Sequence, residues 1–247
     1  MQKKVRRINF LNVPVDIVDT DTVFQVIEDF LQNNNKHQIV LLTVDKLLRG
    51  RIDDEYNRCL REASLVLPIS SGIIRGIRFQ KKGEATRYNP YEFIIRLFML
   101  IEKLQKTAYL LGSQKEDIME AEKNLKVSFP DLKVIGRFAG YFKGDMEENV
   151  VLAIKKSSPA ILFVGKGVPG KEKWVFRNKK NFNPGVYMWI DNYFEIFSGR
   201  EKNISKNLFK LGFESMAGFF RKPWKIFRIF IFLYFKLLVL IHRIMGF

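Results

Sequence analysis

Cysteine occurs once in the 247 residues, as Cys59, and histidine twice, as His37 and His242. A single thiol excludes an internal disulfide framework and a cysteine-based zinc site. Two histidines so far apart, one of them in the tail, argue against a histidine-rich metal centre, so neither metal nor cofactor is expected. Low cysteine use fits a reducing compartment. Acids are also few: 26 Asp and Glu face 42 Lys and Arg, a formal net charge of +16. That balance points to an anionic partner, whether nucleic acid, anionic lipid or a phosphorylated substrate. The start is basic, but Asn9, Asn12, Asp16 and Asp19 interrupt any apolar run of signal-peptide length. No secretory signal is read, and the chain is expected to stay on the cytoplasmic side. With 47% hydrophobic residues it can bury a sizeable core.

The acids nearly vanish in residues 198–247, where only Glu201 and Glu214 remain against ten bases, a local charge of +8. Arg221, Lys222, Lys225 and Arg228 interleave there with Trp224, Phe227 and Phe230. Residues 229–235 are wholly apolar, and 237–241 nearly repeat them around Lys236. A spanning helix wants roughly 20 mostly apolar residues. Lys236 would lie near mid-depth, where a charge costs about 2.5–3.5 kcal/mol. An interfacial helix avoids that cost by sinking its apolar side chains while its bases meet anionic headgroups. The alternatives are a true span and a basic helix packed on its own domain.

Ahead of the tail, strand and helix patterns alternate. Residues 5–10 and 13–18 read as a hairpin about Leu11-Asn12. Thr20 or Asp21 can cap a helix with an apolar stripe at Val23, Val26, Ile27, Phe30 and Leu31. Strands follow at 38–43, 65–67, 108–111, 132–135, 160–164 and 185–190. Helices are read from the strand at 38–43 to about residue 61, from Pro90 to about 105, and over 115–127, 145–156 and about 170–179. The pattern predicts an α/β fold: a Rossmann-like, mostly parallel sheet with helices on both faces, plus a basic, aromatic, helical, membrane-docking appendage at the C-terminus. The expected units are 1–198 for the α/β domain and 199–247 for the appendage. Ligands of such sheets bind beyond the carboxyl ends of the strands. Those ends lie at 43–45, 68–72, 112–113, 140–141, 165–171 and 191–192.

The richest of these is Gly165-Lys166-Gly167-Val168-Pro169-Gly170-Lys171-Glu172-Lys173-Trp174. Glycines after a strand let backbone N–H groups approach a phosphate, and a helix N-terminus adds partial positive charge. It is not a Walker A loop, because Glu172 stands where Ser or Thr would hold magnesium. A tight turn with solvated lysines is the competing reading. At Pro68-Ile69-Ser70-Ser71-Gly72, Ser70 or Ser71 could cap a helix. No histidine is near enough in sequence to activate a serine nucleophile.

Taken in order, several segments resemble the WecG/TagA/CpsF family of bacterial glycosyltransferases, from about residue 8 to 224. They are Asn12-Val13-Pro14-Val15-Asp16, Leu67-Pro68 with Gly72-Ile73, Arg87 before a long helix, Leu110-Leu111-Gly112-Ser113, Gly140-Tyr141-Phe142, Gly165 with Pro169 and Glu172-Lys173-Trp174, Phe194 with Gly199, and Arg221-Lys222-Pro223-Trp224. The resemblance implies transfer of an N-acetylmannosamine-type sugar, hexosamine or uronate, from a UDP-sugar to an undecaprenyl-diphosphate-linked sugar. It implies peripheral attachment at the cytoplasmic face of the cell membrane, with Arg221, Lys222, Trp224, Lys225 and Arg228 meeting lipid or its diphosphate. Donor contacts would fall to Ser71, Gly72, Gly112, Gly165, Pro169, Lys171, Glu172 and Glu195. Nucleic-acid binding has only charge in its favour, and the oligomeric state stays open.

The chain departs from the family pattern at sensitive places. The family's Pro-Asp-Gly-Ser-Gly turn carries its proposed base, and here that position is Ile69. Thr-Pro-Asn becomes Thr43-Val44-Asp45, and Gly-Gly-Ser-Phe-Asp becomes Asp191-Asn192-Tyr193-Phe194-Glu195. Thr43, Arg87 and Glu172 remain. Asp45 is the candidate for a displaced base, with helix capping as its competing role. Arg87 would meet the diphosphate, with a surface ion pair as the alternative. A working transferase with a relocated base therefore competes with a non-catalytic relative that binds membrane, nucleotide-sugar or an assembly partner.

Overall fold

The computed structural model describes residues 5–205, 209 and 227–245, the last stretch without the side chains of 227–229. It opens with an antiparallel hairpin, β1 (Arg6–Phe10) and β2 (Val13–Ile17). Leu11 and Asn12 both take positive φ, 53° and 65°. That is the backbone twist a two-residue hairpin turn demands. Arg7 holds Asp16 in a fork, with Nε and Nη2 each 2.7 Å from a carboxylate oxygen. Asp16 also accepts the Val66 N–H at 2.7 Å, which pins the hairpin to the sheet edge.

Helix α1 (Thr20–Gln32) follows. Its cap is Asp19, which accepts from the N–H groups of Asp21 and Thr22, so neither Thr20 nor Asp21 caps it. Next come β3 (Lys36–Leu42), α2 (Val44–Ile52), α3 (Asp54–Glu62), β4 (Leu65–Pro68), α4 (Ser71–Phe79) and α5 (Pro90–Lys103). The single helix expected before β4 is two, because Asp53 ends α2 and then caps α3 by accepting from Tyr56 N at 2.9 Å. The remainder is β5 (Thr107–Leu111), α6 (Lys115–Ser128), β6 (Lys133–Phe138), α7 (Gly144–Ser157), β7 (Ile161–Val164), α8 (Glu172–Asn178), β8 (Gly185–Trp189), the short α9 (Tyr193–Phe197) and α10 (Phe227–Ile244). Helix α8 falls within the expected stretch and starts at Glu172, because Gly170 and Lys171 both take positive φ.

Six strands form one parallel sheet in the order β4-β3-β8-β7-β5-β6. Side chains alternate across it, as a strand requires. Ile39 and Leu41 of β3 face a core shared with α1, α5 and α6. Val40 and Leu42 face α2, α3 and α4. Further along that second face, Leu162 and Val164 meet α7 and α8. The Rossmann-like expectation, parallel strands with helices on both faces, is met.

Helix α10 lies on the same face. Phe235, Leu238 and Val239 are buried beside Phe10, Ile73 and Ile77. It approaches closely over α4: a Cβ on Gly76 would meet Phe10 at 2.6 Å and Val239 at 3.3 Å. Arg243 donates to the Phe79 carbonyl, and Gln80 Nε2 to that of Val239 at 3.3 Å. No helix among the described residues is long and apolar enough to cross a membrane.

Candidate active site

A cleft of about 470 Å³ opens at the carboxyl ends of β3, β4 and β8. Its lining includes Thr43, Asp45 and Lys46 after β3, Ile69 and Ser70 after β4, and Asp191, Asn192 and Tyr193 after β8. The loop after β3 enters α2 on one face of the sheet, while the loop after β8 enters α9, whose Phe194 and Phe197 pack on the other. Adjacent strands whose loops part to opposite faces leave the crevice that open α/β sheets use for ligands.

Thr43 caps α2, its Oγ1 accepting from Lys46 N at 3.2 Å. Asp45 is therefore not the cap; it sits exposed in the first turn. The Lys46 ammonium turns back to Leu41 O at 3.1 Å, Glu172 Oε1 at 2.5 Å and Asp191 Oδ2 at 3.8 Å. Burial depresses the Lys46 pKa, but Glu172, Asp191 and the hydrogen bond outweigh it, and the net shift is upward. Glu172 is buried behind the cleft wall, where its own carbonyl accepts from Gln38 Nε2 at 3.0 Å. Cys59 is buried in the same nest, and burial followed by Glu172 pushes its thiol up to about 12. At pH 8 roughly one molecule in 10⁴ then carries the thiolate. Alkylation of the native protein by iodoacetamide is expected to run at least a hundredfold slower than that of the unfolded chain, as mass spectrometry of timed samples would show.

Arg87 borders the cleft from the β4 side. Its Nε donates to Ile69 O at 3.1 Å and its Nη1 to Phe209 O at 2.6 Å. The guanidinium stacks 3.7 Å from the Phe209 ring centroid. Ser70 holds the cap position before α4 but makes no side-chain cap bond, and Ser71 Oγ accepts from Arg75 at 3.3 Å. Gly72 faces Phe235 of α10.

The glycine-rich turn lies over β7. A Cβ on Gly112, whose φ is +133°, would stand 2.8 Å from the Gly165 backbone. Glycine at that point thus serves the close approach of two strand ends. Several N–H groups here bond neighbouring loops: Ser113 to Lys166 O at 2.6 Å, Tyr141 to Gly167 O at 2.8 Å and Lys166 to Asp191 O at 2.7 Å. Lys173 points to Asp53 at 2.9 Å and Glu55 at 3.3 Å. Pro169 and Lys171 are exposed. Glu195 is buried with Lys166 3.9 Å away. Arg221, Lys222, Trp224 and Lys225 lie outside the described residues, as does the side chain of Arg228.

The structure thus brings Thr43, Asp45, Ile69 and, through Lys46, Glu172 to one cleft, with Arg87 at its border. The sequence pattern does not single out Lys46, and it marks Asp191 as a strand end and as the first residue of a segment that departs from the family pattern, with no role assigned. The signal for Lys46 was a lysine in the first turn of a helix, where the dipole disfavours a cation unless acids offset it.

The profile of the glycosyl transferase WecG/TagA/CpsF family matches residues 8–246. A Bacillus subtilis (strain 168) protein named N-acetylglucosaminyldiphosphoundecaprenol N-acetyl-beta-D-mannosaminyltransferase is 24% identical over 175 residues, 70% of this chain and 67% of the relative. A protein of the same name from Staphylococcus aureus (strain NCTC 8325 / PS 47) is 25% identical over 210 residues, 81% of this chain and 82% of the relative. A match over nearly the whole chain, together with the parallel α/β sheet, makes this chain a member of the WecG/TagA/CpsF glycosyl transferase family.

Proposed function

We propose that the chain transfers an N-acetylmannosamine-type sugar from a UDP-sugar to a sugar carried on undecaprenyl diphosphate, at the cytoplasmic face of the membrane. The observation that carries this is the cleft itself. Thr43 and Asp45 come from one motif segment and Ile69 from another, and all three line one concavity beside Arg87. The names of the relatives support the same donor sugar and acceptor. Arg87 is the cation proposed to meet the diphosphate, with Lys171 at the exposed turn adding long-range attraction. The base that takes the acceptor's proton must be a carboxylate of the cleft, Asp45 or Asp191. The basic tail and the apolar outer side of α10 support peripheral membrane attachment.

Ile69 favours one competing reading, a relative that binds nucleotide-sugar without turning it over. The experiment that separates them is a transfer assay with UDP-N-acetylmannosamine and N-acetylglucosaminyl-diphospho-undecaprenol, read as disaccharide-lipid formed. Product formation supports the transferase; UDP binding without product supports the non-catalytic relative. Lys171→Glu changes the charge at the turn by two units beside a polyanion. About tenfold weaker UDP binding is expected, falling toward parity as salt is raised. Calorimetry at two salt concentrations checks this, and an unchanged affinity at low salt would remove Lys171 from the site.

A further inference from the structure

Resting on the transferase reading, we infer that Asp191 is the general base of this chain, supplying from the end of β8 the carboxylate that Ile69 does not. Both residues line the same cleft. Asp191 takes φ +54°, a conformation that few non-glycine residues adopt. Its turn is fixed by neighbouring strand ends: Lys166 N donates to its carbonyl at 2.7 Å and Ile190 N to Val164 O at 2.8 Å. The backbone is thus held while the side chain, 54% exposed, stays accessible from the cleft. Backbone outliers of this kind gather where a side chain must be aimed.

The neighbouring charges fit the role. Lys46 Nζ is anchored to Leu41 O and Glu172, and it stands 3.8 Å from Asp191 Oδ2. Glu172, 2.5 Å from that ammonium and buried, already balances it. The trio of Lys46, Glu172 and Asp191 carries a net charge of one negative unit, and Asp191 is its most exposed member. Lys46 is thereby a positioning residue: it orients the carboxylate without consuming its charge. Asp45 projects from the exposed first turn of α2, one residue before the lysine.

In the step, Asp191 takes the proton of the acceptor hydroxyl. The freed oxygen pair forms the new bond to the anomeric carbon. The bond from that carbon to the diphosphate oxygen breaks, and its electron pair leaves on UDP. No oxidant, reductant or further reactant is needed.

The test uses the full chain with UDP-N-acetylmannosamine and the lipid acceptor, reading kcat and donor KM separately. Asp191→Asn keeps a residue that tolerates positive φ and removes the proton acceptor. It is expected to lower kcat by roughly 10²–10⁴-fold with donor KM within about threefold, the pattern for an interaction made in the transition state. Asp191→Gly accepts the same backbone and opens room for a small carboxylate, so added formate is expected to restore part of its turnover. Wild-type kcat in Asp191→Asn overturns the assignment, as does formate rescue of Asp45→Gly in place of Asp191→Gly. Equal losses in kcat and donor affinity also overturn it, since they mark a binding role. A wild-type protein that transfers no sugar overturns the transferase reading itself, and this assignment falls with it.

Discussion

Replacing Leu233, Leu237 and Ile241 together by serine is expected to release the protein from anionic vesicles while leaving its unfolding temperature nearly unchanged. Helix α10 is apolar on two sides, with Lys236, His242 and Arg243 its described basic residues. Its inner side, with Phe235, Leu238 and Val239, is buried against α4 and the hairpin. Its outer side shows Phe230, Leu233, Tyr234, Leu237 and Ile241 at spacings of three, one, three and four residues, a single helical stripe. Leu233 is 55% exposed and Leu237 52%, so about half of each side chain remains to be buried. Half of a full burial is about 1 kcal/mol per residue. Three residues amount to about 3 kcal/mol, roughly a hundredfold in partition coefficient. Flotation with vesicles containing phosphatidylglycerol measures it, and equal binding by both proteins would remove α10 as the contact. Simple truncation is the poorer experiment, because it would also strip Phe235 and Val239 from the core. The helix packs on its own domain, one of the alternatives the sequence left open, and still presents an apolar side outward.

The fold was legible because its signals were local. Buried strands such as 161–164 and 185–189 read as short apolar runs, and helices such as 90–103 carried both a Pro start and an apolar stripe. What escaped was decided by competition over one or two residues. Asp53 can end one helix and cap the next, and nothing in periodicity says that it does both. Asp19 outcompetes Thr20 and Asp21 as a cap because its side chain reaches two N–H groups at once. The site was legible where motif order marked strand ends, at Thr43, Asp45 and Ile69. It was illegible where the partner lies far along the chain. Lys46 meets Glu172 and Asp191 only because β3, β7 and β8 end side by side. The glycine-rich turn from Gly165 reads as a phosphate cradle, whereas a Cβ on Gly165 would run into the Phe194 ring at 2.5 Å, and Gly112 answers to the close approach of the Gly165 backbone.

Lys46→Met is expected to destabilise the protein by about 3–5 kcal/mol, the usual cost of leaving one member of a buried pair behind. Glu172 is 2% exposed, and its carboxylate lies against the Lys46 ammonium at 2.5 Å. Methionine fills nearly the same volume, so the loss measures the stranded charge and not a cavity. At about 2–4 °C per kcal/mol for a chain of this size, the unfolding temperature should fall by about 10 °C. A second substitution provides the control. In Lys46→Met with Glu172→Leu the charge is no longer stranded, and most of the loss should return, because a buried pair replaced by apolar residues is often neutral. The pH dependence has a definite sign. The folded-state pKa of Lys46 lies above its ordinary 10.5, so its contribution is complete at neutral pH and is lost as pH rises through that higher value. Thermal melts followed by circular dichroism at pH 7 should therefore separate wild type from Lys46→Met, and the gap should narrow only in strong alkali. A gap below 1 kcal/mol at pH 7 would mean that water reaches Glu172 and that the pair does not hold the ends of β3 and β7 together.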